Sequence, residues 1–253
     1  MKSISSIKRT IATLAVVAMA FAPTIGRAAQ LDPCGGEQGG TGHGSDLCAT
    51  GPAGCVAVGV RVEIAPNIAL PFGATVELSR STAMASGSGG YGYSHGDAHQ
   101  AKATIPATLG AGAVESSCNA FSKSGSNAAW GDADVSQLYL SLYPYSVPVT
   151  LSADVLHEYG SSFNGAGGNT ANIENFFATV NGSPVGPFNT SAGVNETHSL
   201  GPLGTLYLNE QRTSFSPCPE FHGDALRLDI TDPATGLLVA RVIISWVSTS
   251  TCP

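Results

Sequence analysis

The densest group of metal-capable side chains is His95-Gly96-Asp97-Ala98-His99, two imidazoles and a carboxylate within five residues. On a regular strand His95 and His99 would stand roughly 13 Å apart, at about 3.3 Å per residue, so common chelation of one ion requires a bent loop. The Gly-rich lead Gly87-Ser-Gly-Gly90 predicts such a loop. A solvated loop tip, with glycines that permit the turn, accounts for the same residues without any ligand. Tyr91 and Tyr93 in that stretch offer flat faces to a sugar ring, and Trp130 and Trp246 are further aromatic candidates. The structural alternative for the tyrosines is packing over a sheet edge. Trp246 alternates with Leu238, Ala240, Val242 and Ile244, which assigns it to the core.

Other polar candidates are sparser. Asp132 and Asp134, and Asp229 and Asp232, place paired acids where calcium ligands or turn caps could sit. Glu210 has the parity of Leu206 and Leu208, which points it inward near a strand end and would raise its proton affinity if buried. His157 falls on the apolar parity of its strand, as a core or edge histidine does. There is no Gly-x-Ser-x-Gly elbow, and Gly160-Ser-Ser-Phe-Asn-Gly165 resembles one only superficially. With every cysteine expected to be oxidised, a thiol nucleophile is also absent. The local sequence therefore predicts no enzyme and implies no cofactor.

These candidates would have to be held by an exported, disulfide-bonded chain. Lys2, Lys8 and Arg9 precede the apolar run Ile11 to Phe21, and Gly26-Arg27-Ala28 supplies small residues at a cleavage site. Residues 1–28 are thus expected to be a secretory signal, too short in its apolar part to span a bilayer. Its removal takes four of the 11 basic residues and leaves 7 against 18 acids, a net charge of −11. Such an acidic chain is a poor partner for nucleic acid or anionic membranes. No segment after the signal is long and apolar enough for membrane insertion. Cys34, Cys48, Cys55, Cys118, Cys218 and Cys252 form an even set without Cys-x-x-Cys spacing, so they read as three disulfides with 15 possible pairings.

Residues 29–54 are Gly- and Cys-rich without periodicity and read as an irregular, disulfide-stapled N-terminal extension. From Cys55 the period is two, with Val56, Val58, Val60, Val62 and Ile64 on one parity. The pattern recurs at Val147, Val149, Leu151, Ala153 and Val155, and again at Leu226, Leu228 and Ile230. Gly and Pro punctuate the chain about every 10 to 15 residues. Residues 55–253 are therefore expected to be all-β, about eleven or twelve strands in a two-sheet β-sandwich-like fold. The fold contains a duplicated strand–loop–strand unit, about 111–149 and 153–187. Ala133 to Leu142 aligns without gaps to Ala171 to Val180, each after a small-residue loop (Ser124 to Asn127, Gly165 to Asn169). Both copies change phase at the same point, which predicts a β-bulge between Val135 and Leu138 and another between Ile173 and Phe176. Leu226 to Ile230 and Leu237 to Val247 read as a hairpin around Asp232 to Gly236. Cys218 and Cys252 flank its open end, so they are expected to bond; Cys118 to Cys252 is the rival pairing.

The segments Ala128 to Tyr159, Ala171 to Pro187, Gly201-Pro-Leu-Gly-Thr-Leu-Tyr-Leu-Asn-Glu-Gln211 and Gly223 to Cys252 resemble the choice-of-anchor P family of secreted bacterial β-proteins. The resemblance spans most of Gly59 to Cys252. It implies an extracellular or envelope role and transfers no catalytic residue, and this chain departs by its Cys-rich extension and its lack of an anchor. Together these readings predict a non-catalytic extracellular or envelope structural or interaction protein. It would self-associate through β-edges or bind other cell-surface components. Lys102 and Lys123 are the only lysines after the signal, so few edges can be guarded by lysine. The alternative is a glycan- or metal-binding module using Gly87 to His99, with Tyr91 and Tyr93 or with His95, Asp97 and His99. A hydrolase with a site scattered in sequence is the third reading.

Overall fold

The computed structural model describes residues 52–64, 74–85, 91–99, 102–105, 107–185, 193–215 and 218–253. The segment expected to be a signal, most of the expected N-terminal extension, and Cys34 and Cys48 lie outside the described residues. Alternation and turn residues produce fifteen strands among the described residues and no α-helix. In chain order they are β1 (Ala53–Ile64), β2 (Ala74–Ala85), β3 (Tyr91–His99), β4 (Lys102–Ile105), β5 (Ala107–Gly110), β6 (Ala113–Lys123) and β7 (Ser126–Leu142). There follow β8 (Val149–Phe163), β9 (Ala166–Glu174), β10 (Phe177–Val180), β11 (Ser183–Pro184) and β12 (Glu196–Ser199). The chain closes with β13 (Gly204–Phe215), β14 (Pro219–Thr231) and β15 (Leu238–Thr251). They form two antiparallel sheets, as the periodicity predicts. Sheet A has the order β12-β13-β14-β15-β1-β2. Sheet B is built on β7 and β8, with β5 and β6 along the far side of β7 and β9 and β10 along the far side of β8.

The interior has two ends of different texture. One is filled by Leu, Ile, Val and Phe, including Leu140, Leu151, Leu156, Leu206, Leu226 and Ile244. The other is a small-residue core of Ala57, Ala83, Ala120, Ala129 and Ala133 around Cys55 and Cys118. These two cysteines are bonded with Cα atoms 5.6 Å apart and tie β1 of sheet A to β6 of sheet B. A Cβ at Gly131 would lie 2.5 Å from the Cys55 sulfur, so the bond fits only beside a glycine. Cys218 and Cys252 are bonded as expected, Cα to Cα 4.8 Å. They continue the register in which Glu220 faces Ser250 at the open end of the β14–β15 hairpin.

The duplicated unit is two hairpins. Small-residue loops predicted at Ser124 to Asn127 and Gly165 to Asn169 are two-residue turns instead. Both central residues of each are left-handed: Ser124 and Gly125 (φ 53° and 80°), and Asn164 and Gly165 (φ 45° and 81°). That is the type I′ geometry that matches strand twist. Most of the second predicted loop is therefore strand β9.

The predicted bulges are replaced by a different device. Gln137 and Asn175 are left-handed (φ 52° and 50°) at equivalent points of the two copies. No extra residue is inserted, because Ser136 faces Val155 and Leu138 faces Ala153 in one continuous register. A left-handed residue turns the side chains that follow it to the other face, so residues three apart share the interior, as Val135 and Leu138 do. Sheet A does the same along one transverse line, where Asn209, Ser245 and Ser79 have φ of 49°, 55° and 55°. There Ile244 faces Leu226 and Trp246 faces Asp224 without a shift. Neighbouring strands change phase together, so the ladder stays in step.

This line and the matching break of sheet B at Gln137 and Asn175 together correct five face assignments. Val56 and Val58 do not share the interior with Val60; they join Ile243 and Trp246 in a buried cluster on the opposite face of sheet A. Trp246 is buried, at 1% exposure, but not beside Ile244. Glu210 leaves the parity of Leu208 after Asn209, and His157 leaves the apolar parity of its strand near Asp154.

Candidate functional site: an open strand edge and the face beside it

The Gly87–His99 segment is not a loop over its described part. Tyr91 to His99 is strand β3, paired with β6 along its whole length. The side chains of Tyr91, Tyr93, His95, Asp97 and His99 lie outside the described ones, but their register positions are set. His95 faces Ser117 and Asp97 faces Glu115. Continuing across the sheet, Ser117 faces Asp132, which faces Tyr159, which faces Thr170. In the next row Glu115 faces Asp134, then His157, then Asn172. Tyr93 opens a third row through Asn119, Trp130, Ser161 and Gly168. Candidates scattered over eighty residues of sequence thus fall into three adjacent rows of sheet B.

On that outer face, Ser117 Oγ donates to Asp132 Oδ2. His157 Nδ1 lies 2.6 Å from Asp134 Oδ1. The Asp134 hydrogen bond raises the His157 pKa above its ordinary value, and the Asp134 and Asp132 charges add to it against the effect of burial. Asp132 and Asp134 therefore sit in mid-strand as acceptors rather than at a turn. Asp232 does cap a turn, taking the Ala234 N–H at 2.9 Å and the Thr235 hydroxyl at 2.9 Å. Among the described residues no three His, Cys, Asp or Glu side chains converge closely enough to hold a metal ion. The face is a polar strip with Trp130 and the partly exposed Tyr159 beside it.

The outer face of sheet A carries a set of linked ion pairs. Asp224, Arg212, Glu210, Arg227, Asp229 and Arg241 form a chain of alternating sign across β13, β14 and β15. Glu210, read as inward, is a member of this chain. The two sheets instead enclose a different acid, Glu158, which the sequence reading passed over. Its carboxyl reaches the backbone of β14, where a Cβ at Gly223 would fall 1.9 Å from Oε1.

The outer edge of sheet B is β9. Among the described residues β9 pairs with β8 alone, over Ala166 to Glu174. Its inner face is anchored: Ile173 is in the core, Ala171 packs against it, and Gly167 lies against Phe221. Its outer face, Ala166, Gly168, Thr170, Asn172 and Glu174, is small and polar. The other described edges carry protective features. β12 is four residues with His198 and Glu196 paired at 2.7 Å. β11 is two residues ending in Pro184. β2 contains Glu77 and Arg80 around the left-handed Ser79 (φ 55°). β4 begins at Lys102 and β3 contains Asp97 between two histidines. β9 has no Lys, Arg, His or Pro and a single charge, at its end. The Asn164-Gly165 dipeptide, a strong hairpin signal, would have located the start of this strand in the sequence.

No helix among the described residues is long and apolar enough to cross a membrane. No protein-family model matches the chain, and no curated protein matches it.

Proposed function

We propose that this is a non-catalytic interaction protein of the cell exterior or envelope, making its contacts through the open edge of β9. The observation that carries the reading is a nine-residue edge whose single charge sits at its end and which has no Lys, Arg, His or proline to block strand addition. Two disulfides among the described residues support an oxidising compartment, as does the signal-like start. The resemblance to choice-of-anchor P proteins points the same way. Gly168 offers a clean test, since a Cβ there meets nothing within 4 Å. Gly168→Lys should fold normally yet place a lysine on the edge. Its retention on the envelope of the producing cells is expected to fall severalfold relative to wild type. Equal retention would refute the edge as the contact, and turnover of an ester, peptide or glycoside by the purified protein would refute the non-catalytic assignment.

The register of β3 favours a second reading, glycan binding on the outer face of sheet B, because it brings Tyr93 into one row with Trp130. Addition of soluble oligosaccharides should then shift Trp130 fluorescence, and Trp130→Ala should abolish the shift. An unchanged spectrum at millimolar sugar would exclude this reading.

A further inference from the structure

We infer that the partner of the β9 edge is a second copy of this chain, paired antiparallel about Thr170 to form a two-fold dimer with one continuous sheet. This inference rests on the proposed edge-contact role and names the partner. A strand that pairs with its own copy across a two-fold axis meets itself in reverse, so each residue but the central one faces a different residue. Full overlap of Ala166 to Glu174 puts Thr170 on the axis. Ala166 then faces Glu174, Gly167 faces Ile173, Gly168 faces Asn172 and Asn169 faces Ala171.

The register is favourable in charge. The one acid of the strand, Glu174, faces an alanine and not its own copy, so no like charges are opposed. The central pair is Thr with Thr, a cross-strand pair that can hydrogen-bond. Nine facing pairs would supply about nine backbone hydrogen bonds. Extension in the same direction ends at β10, where Pro184 of β11 covers Thr179. The joined sheets would carry the row through Asp132 and Tyr159 across the axis, since that row ends on Thr170. A net charge of −11 on each mature chain opposes the approach of two copies, and salt screens it. The dimer should therefore strengthen between low and physiological ionic strength.

Thr170 is exposed in mid-strand, so charged substitutions there should leave the monomer folded, as circular dichroism and thermal unfolding would verify. Sedimentation of the mature protein at physiological ionic strength should give a dimer. Thr170→Lys and Thr170→Glu each place like charges face to face on the axis, and each should dissociate roughly fivefold more readily. An equimolar mixture of the two should recover the dimer, because Lys then faces Glu. A wild-type monomer at high concentration, single variants as dimeric as wild type, or a mixture that fails to recover would each overturn the inference. A monomer whose envelope retention is still lost in Gly168→Lys would leave the edge reading standing with a different partner. A charge-swapped dimer with retention unaffected by Gly168→Lys would uphold the dimer and remove the edge from envelope contact.

Discussion

Glu158→Gln is expected to abolish most of the loss of stability that the protein shows as pH rises from about 5 to 9. Glu158 stands on the inner face of β8, is 0% exposed, and its carboxyl oxygens have no aligned hydrogen bond, only the nearby Asn169 amide. Burial pushes its pKa from 4.5 up to about 9, the nearby Asp224 carboxylate adds to the rise, and only the Asn169 amide opposes it. In the folded protein the group is therefore a neutral acid at pH 7, while in the unfolded chain it is ionised. Between the two pKa values the native state holds one more proton than the unfolded state. Linkage then requires stability to fall with rising pH, by about 1.4 kcal/mol per unit at most. The contribution is fully present below the ordinary carboxyl range and is lost as pH climbs through the folded value. Gln has the shape of the neutral acid and cannot ionise, so the variant should be the more stable protein at pH 8 and nearly equal at pH 4. Urea unfolding at pH 4, 6 and 8 measures both slopes. Parallel slopes would show that Glu158 is ionised or solvated in the native state.

The same contact couples Glu158 to Gly223. A methyl at Gly223 would overlap the carboxyl at 1.9 Å and crowd Asn169 Cβ at 2.7 Å. The sheets approach there because β14 presents no side chain, and the long Glu158 fills the space. Nothing in the local sequence of either strand announces this, since period two assigns Glu158 only a parity. The carboxyl's environment is made by Asn169 of the neighbouring strand β9 and by β14, whose Gly223 is 65 residues away in sequence.

Sheet class, the β14–β15 hairpin and the Cys218–Cys252 bond were legible because each depends on alternation and on turn chemistry close in sequence. Face assignment was not legible beyond the transverse line. The left-handed residues there and at the matching break of sheet B include Ser79, Gln137 and Ser245, none of them glycine, and a serine or glutamine carries little local signal for positive φ. The conformation at Ser245 is fixed by context: its hydroxyl donates to the Leu156 carbonyl of the facing sheet at 2.7 Å. Once that residue turns, Trp246 moves to the opposite face from Ile244. The same effect at Asn209 takes Glu210 out of the core. Parity counted through such a point gives the right residues buried on the wrong side. The polar rows of sheet B were hidden for another reason, since cross-strand register is a property of the assembled sheet. His95, Asp132 and Tyr159 have no proximity in the chain.

The move of Glu210 to the outer face puts it beside Arg227, and Arg227→Ala is expected to cost about 3–5 kcal/mol, the usual penalty for breaking a buried ion pair on one side. Arg227 Nη1 lies 2.6 Å from Glu210 Oε2 and its Nε 3.5 Å from Asp229 Oδ1. The shorter contact is charge to charge and not an aligned hydrogen bond. The guanidinium also sits 3.9 Å over the Tyr207 ring, where its planar charge meets the negative face of the aromatic system. Arg241 holds Asp229 by two bonds, 2.6 and 3.1 Å, so Asp229 keeps one cation when Arg227 is removed. Glu210 retains Arg212 at the longer distance of 3.4 Å. The larger part of the loss should therefore come from Glu210, and Glu210→Gln in the Arg227→Ala background should recover a good fraction of it. Arg227→Lys keeps the charge without the planar fork and should fall between wild type and Ala. Arg212 is the comparison: its side chain is 28% exposed, so Arg212→Ala should cost less than Arg227→Ala, although its partner Asp224 is buried. Urea unfolding with an unchanged m-value measures all four variants. Equal costs for Arg212→Ala and Arg227→Ala would mean that the chain is uniformly solvated and that burial on this face does not decide its strength.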